Sequence, residues 1–219
     1  MDEASLNIRN KIIELTGIKA LHPKEDFRHN IKSNHNSEGV MTSCVIWIFS
    51  KFFTLYKIRI SFSQKTIENL IIVSSGIQKG VAKPCLEYQV KKAYEFKFKY
   101  IELLADRCDH PSYYEDDIRV ESLIGYKIWG KYGFIMTEIL AQKKFENLMR
   151  TQNLSFRMIG EIYEDTIDGE NARNKWNDKG FPWFGIFSLD KDSSSFNTLF
   201  RSNTPRYTTS TSGNFKIKY

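Results

Sequence analysis

The chain has 219 residues, 41% of them hydrophobic and 14% aromatic, which is ample apolar surface for a packed core and excludes a disordered protein. The formal charge is +6, but Arg201, Arg206, Lys216 and Lys218 lie in an acid-free stretch from Arg201 to Tyr219, so the body is close to balanced. Nucleic-acid binding therefore rests on charge and tail alone, without a basic face interleaved with aromatics. The three cysteines (Cys44, Cys85 and Cys108) are odd in number and scattered, so they imply no disulfide framework.

Taken in chain order, Ala4 to Gly17 carries Leu6, Ile8, Ile12, Ile13 and Leu15 at mostly helical spacing and predicts an amphipathic helix. No signal peptide is expected behind the acidic opening Met1-Asp2-Glu3. Ala20 to Glu38 is polar and reads as a loop or short helix; His29 and His35, six apart, do not share a ligand face. Val40 to Phe62 is rich in β-branched and aromatic residues and predicts two strands, the second alternating at Ile58, Ile60 and Phe62. Its most apolar window, Val40 to Tyr56, contains Lys51 and falls short of the roughly 20 residues that a membrane span needs. A cytoplasmic location is the expectation.

Thr66 to Val73 predicts a further strand, and Val81 to Phe96 a helix with Pro84 in its first turn, where a missing N–H costs little. Tyr100 to Ala105 reads as a strand, Asp106 to Asp117 as a loop, and Ile118 to Lys131 as a helix stopped by Gly133. A strand at Phe134–Ile139, helices at Leu140–Arg150 and Asn171–Lys179 and a strand at Trp183–Leu189 complete the pattern. The Ser/Thr-rich end from Ser202 to Ser212, with Pro205, is expected to be flexible or an extended arm. The expected organisation is one domain over 1–150, an extension over 151–200 packed on it, and a basic tail over 201–219.

The chemistry concentrates in one unit of strand, glycine loop, helix and strand. A strand ending at Val73 feeds Gly76-Ile77-Gln78-Lys79-Gly80-Val81-Ala82, and a helix begins directly behind. Small residues let backbone approach a ligand, and the first-turn amides of a helix point at an anion, aided by the helix dipole. Lys79 and Lys83 add positive charge, so the loop suits a pyrophosphate; a tight structural turn is the alternative reading. It is neither a Walker A loop nor a dinucleotide fingerprint.

The run Gln78-Lys79-Gly80-Val81-Ala82 with Leu86-Glu87-Tyr88, Lys92-Ala93 and Phe98-Lys99-Tyr100-Ile101-Glu102-Leu103 resembles the coenzyme A-binding motif of the GNAT N-acetyltransferase superfamily. Ile124-Gly125-Tyr126-Lys127-Ile128-Trp129-Gly130-Lys131-Tyr132-Gly133-Phe134 resembles that family's closing helix, and the resemblance covers roughly residues 40 to 140. The resemblance implies a mixed, mostly antiparallel sheet flanked by helices, whose fourth and fifth strands splay around the pantetheine arm. It implies acetyl-CoA or another acyl-CoA as cofactor and a small-molecule or peptide amine as acceptor, attacking the thioester directly. Ile72 and Val73 would flank the arm. Ile77, Gln78, Lys79, Gly80, Val81, Ala82 and Lys83 would hold the pyrophosphate, Ile77 standing where the family has Arg or Gln. Trp129 occupies the place of the family's proton-donating Tyr, and an indole N–H is no useful acid. Tyr126, one turn earlier, is the candidate substitute, and Glu68 the candidate base. A protein that binds coenzyme A or a partner without turnover is the first alternative.

Three other features carry less. Glu115-Asp116-Asp117 would attract a cationic acceptor or simply face solvent. Cys108-Asp109-His110 lacks a third, orienting group and is discounted as a nucleophile set. Trp176, Trp183-Phe184-Gly185 and Phe187 read as core or as a pocket lining.

Overall fold

The computed structural model describes residues 3–24, 26–74, 80–106, 113–115, 118–120 and 125–200. Helix α1 (Glu3–Leu15) comes first, followed by a 3-10 turn at Ile18–Ala20. Strands β1 (Arg28–His35), β2 (Met41–Phe49), β3 (Phe53–Ser61) and β4 (Thr66–Ser74) then form an antiparallel meander. Helix α2 (Ala82–Glu95) crosses back to β5 (Tyr100–Ala105), which pairs with β4 in parallel. A small hairpin, β6 (Tyr113–Glu115) and β7 (Ile118–Val120), precedes α3 (Gly125–Ile128) and a 3-10 turn at Trp129–Tyr132. The chain closes with β8 (Ile135–Met136), α4 (Ile139–Arg150), α5 (Ile167–Lys179), β9 (Trp183–Ser188) and α6 (Ser194–Phe200).

The main sheet has seven strands in the order β1-β2-β3-β4-β5-β9-β8. It is antiparallel except between β4 and β5. The fold class is thus mixed α+β, a mostly antiparallel sheet flanked by helices. Strand β9, from the stretch beyond Arg150, lies inside the sheet between β5 and β8. Among the described residues no helix is long and apolar enough to cross a membrane.

Alternation along the strands decides where the core sits. Cys44, Ile46 and Ile48 of β2, Ile58 and Ile60 of β3, Ile67 of β4 and Ile101 and Leu103 of β5 are buried. Register carries the stripe from strand to strand, Ile46 opposite Ile58, Ile60 opposite Ile67, and Ile101 opposite Phe187 of β9. Each such side chain contributes about 1.5–3 kcal/mol when taken fully out of water. The alternate positions, among them Arg59, Glu68, Glu102, Leu104 and Phe184, are half-buried or exposed. The apolar stripe of α2 (Cys85, Leu86, Val90 and Ala93) packs onto the buried face, in the same core cluster as Ile12, Ile13 and Leu15 of α1.

Three expectations differ from the observed elements. The polar stretch before Glu38 contains β1, which has no apolar alternation because it is an edge strand. Only its Ile31 lies against the core, opposite Ile46. The helix expected over Ile118–Lys131 is instead strand β7 at Ile118–Val120 and a short helix beginning at Gly125; Gly133, with φ of 92°, ends the following 3-10 turn. Helix α6 was hidden by its serines: the Ser193 hydroxyl accepts from the Phe196 amide at 3.2 Å, a cap rather than a loop signal. The tail over 201–219 lies outside the described residues.

Candidate functional site

Strands β4 and β5 run side by side for only four residue pairs. The ladder begins at Thr66 opposite Tyr100 and ends at Asn69 opposite Leu103, although β4 continues to Ser74 and β5 to Ala105. On the other edge of β4 the register slips at the same point. Lys57 faces Ile71 and Ile58 faces Asn69, so Leu70 is an extra residue. An inserted residue bends and twists its strand, and here it accompanies the divergence of β4 from β5.

The divergent end of β4 leads toward the amino terminus of α2. Among the described residues Val81, the residue before the helix, offers no side-chain cap, and the first turn holds no acidic residue. Gly80 has φ of 83°, and a Cβ placed on it would meet nothing within 4 Å, so the backbone there is open to close approach. Val81 is buried in the core, whereas Ala82 is half-buried. Lys83 lies 3.6 Å from Glu87 one turn on. Ile77, Gln78 and Lys79 lie outside the described residues.

A narrow slot opens between β4 and α2. Ile72, Ala82, Cys85, Leu86 and Trp129 line it, with Phe53 at one end, and its free volume of about 10 Å³ is about the least that holds one water. The structure thus brings together Ile72, Ala82 and Trp129, three residues that the sequence places far apart. Cys85 is unsuited to nucleophilic work there, because burial pushes its thiol up to about 12. Cys44, buried among the strands, is likewise pushed up to about 12. Cys108-Asp109-His110 and Asp116-Asp117 lie outside the described residues.

The slot has a polar wall that sequence reasoning did not single out. Asn69 Nδ2 donates to Gln89 Oε1 at 3.0 Å, and Gln89 Nε2 donates back to Asn69 Oδ1 at 3.1 Å. Gln89 Nε2 also reaches the carbonyl of Leu15 at 3.1 Å, and the Tyr56 hydroxyl donates to the carbonyl of Thr16 at 2.9 Å. Burial holds the Tyr56 phenol well above its ordinary value. A signal was present in the sequence: Asn69 interrupts an apolar strand, and Gln89 falls on the apolar stripe of α2.

Tyr126 and Trp129 point to different places. The Tyr126 ring is buried edge-on against Trp176, 5.8 Å between centroids, and its hydroxyl donates to the carbonyl of Asn177 at 2.9 Å. Its own carbonyl accepts from both the Trp176 and Trp183 indoles, at 3.0 and 3.3 Å. Trp129, in the tighter 3-10 turn, reaches the slot and packs edge-on against Phe134 at 5.5 Å. Although only three residues apart, the two side chains thus have separate partners, Tyr126 with Trp176 and Trp129 with the slot and Phe134.

Glu68 lies on the less covered face of the sheet, where Arg59 Nη1 donates to it at 2.6 Å. Its parallel neighbour is Glu102. Partial burial raises the Glu102 carboxyl, and the charge of Glu68 raises it further. Among the described residues no cluster of His, Cys, Asp and Glu is placed to hold a metal. Compared with known proteins, the chain matches no family model and no curated sequence.

Proposed function

We propose that this chain binds acyl-coenzyme A where β4 leaves β5, and that it is an acyl-CoA-dependent N-acyltransferase of GNAT type. The observation that carries the reading is the divergence itself. A parallel pair that ends at Asn69 and Leu103 while both strands run on fits the splayed fourth and fifth strands that the resemblance to that superfamily implies. The pyrophosphate would lie against Gly80, Val81 and Ala82, with Lys83 and the first-turn amides of α2 supplying positive potential. Ile72 and Val73 would flank the arm. When bound, the group supplies a thioester carbonyl for an amine to attack. Trp129 lines the slot beside Ile72 and Ala82.

Isothermal titration calorimetry with acetyl-CoA tests the reading. A micromolar dissociation constant, about −8 kcal/mol, is expected; no heat at millimolar acetyl-CoA would sink it. Thioester cleavage with a panel of amines then tests transfer.

Binding without turnover is the second reading. Trp129 favours it, standing where a phenol is expected, and so does Tyr126, whose hydroxyl proton is already donated to Asn177. Glu68, the candidate base, is paired with Arg59 at 2.6 Å. Acetyl-CoA binding with no amine-dependent thiol release would select this second reading.

A further inference from the structure

The polar wall of the slot suggests a role for two residues outside the expected site. We infer that Asn69 and Gln89 are positioning residues: their reciprocal amide pair sets the separation between the departing end of β4 and the amino-terminal half of α2. The inference rests on the acyl-CoA reading above.

Asn69 is the last residue of β4 that pairs with β5, and the extra residue Leu70 follows it directly. From Asn69 onward β4 keeps its ladder with β3 but loses the one with β5, so that is where a second restraint acts. Gln89 supplies one from α2, with two hydrogen bonds of 3.0 and 3.1 Å running in opposite directions. Gln89 is itself held by the Leu15 carbonyl at 3.1 Å. Both amides are almost wholly buried, 4% and 0% exposed. A buried amide that loses its partner keeps its desolvation cost, so the pair resists both separation and sliding. One end of the clamp lies three residues before Ile72, and the other lies seven after Ala82, so it ties the strand that would flank the arm to the helix that would hold the pyrophosphate. An apolar pair would fill the same space but would hold the walls at no fixed register.

The test compares acetyl-CoA affinity in the whole chain with three substitutions, each measured where the protein is fully folded. Gln89→Met keeps the length and removes the hydrogen bonds; it should raise the acetyl-CoA dissociation constant about tenfold or more, since small misplacements at a binding wall have large effects. Met149→Ala, a cavity in α4 away from the slot, should lower stability while leaving that constant within about twofold of the original. Gln89→Glu adds a readout that a merely structural role would not move. Protonated, the carboxyl can accept from Asn69 and donate to one of the acceptors that Gln89 serves, so the variant should come closest to the original protein at low pH and weaken relative to it as pH rises through the carboxyl pKa.

If Gln89→Met does not fold, Asn69→Ser carries the same comparison. Equal effects of Gln89→Met and Met149→Ala, or a flat affinity ratio for Gln89→Glu across pH, would overturn the positioning role and leave the acyl-CoA reading standing. Failure of the unsubstituted protein to bind acetyl-CoA would remove both.

Discussion

The two halves of the sheet are built differently, and the split between them lies where the two styles meet. From β1 to β4 each strand pairs with the next in sequence, and the core is mostly aliphatic, with Ile46, Ile48, Ile58, Ile60 and Ile67 beside Phe53 and Tyr56 in one cluster with α1 and α2. From β5 to β8 the pairing is non-local: β9 enters between strands that precede it by far in the chain. Aromatic rings fill that half, with Trp176 edge-on against Tyr126, Phe145 and Phe181, and Phe134 between Trp129 and Phe187. Rings packed edge to face add about 0.5–1.5 kcal/mol per pair beyond their buried area. The lesson is that the second half depends on a few large side chains, whereas the first spreads its stability over many small contacts.

That contrast can be broken most sharply at Trp176. Its ring is fully buried and its indole donates to the Tyr126 carbonyl, so Trp176→Ala should cost about 3–5 kcal/mol. Urea unfolding followed by hydrogen exchange would check it, with protection lost first at β5 and β9. Equal loss across β1 to β3 would mean that the halves are not separable.

A smaller effect is expected in the first half at Gly17. Its φ is 76°, and an added Cβ would overlap the Cys85 carbonyl oxygen, so the close approach of the chain after α1 to α2 needs this glycine. Gly17→Ala should cost at least about 1–2 kcal/mol from backbone conformation alone, read as a lower midpoint in thermal unfolding. An unchanged midpoint would remove the glycine from the list of contacts that hold the first half.

The smallest effect is expected at the junction. The raised carboxyl of Glu102 means that the folded state disfavours its charge, so its contribution is best when protonated, below the ordinary value of 4.5, and is lost as pH rises through the folded pKa. Glu102→Gln should therefore stabilise at pH 7, by about 0.5 kcal/mol or less after solvent screening. The gain should vanish near pH 3. A gain that persists at pH 3 would assign the effect to packing.

Much of the first half was legible because its physics is local. The alternation Ile58, Ile60, Phe62 places β3, and Pro84 sits in the first turn of α2 as a residue without an N–H should. Edge strand β1 was not legible, since a strand with a single core contact has no periodicity to read. In the second half, Trp183 and Phe187 marked β9 as a strand, but nothing in its composition says that it pairs with β5. The Asn69–Gln89 pair shows the same limit at the candidate site. Each residue is conspicuous on its own apolar stripe, yet only the crossover of α2 over β4 reveals them as partners. Tyr126 and Trp129, three residues apart, were expected on one helix face, yet Tyr126 packs on Trp176 and Trp129 on Phe134. Ile77, Gln78 and Lys79 remain expectations of the sequence.

The insertion of β9 has a consequence for synthesis. As the chain emerges, β1 to β4 and α2 can assemble in order, but the free edge of β5 has to wait for Trp183–Ser188. At about 5–20 residues per second, the stretch between Ala105 and Trp183 takes roughly 4–15 s to translate. During that interval a nascent strand with the apolar sequence Tyr-Ile-Glu-Leu-Leu-Ala presents an unpaired border to its surroundings. The ribosome-bound intermediate is therefore the form of this protein most exposed to misassembly, and the form for which a chaperone that shields strand edges has the most to do.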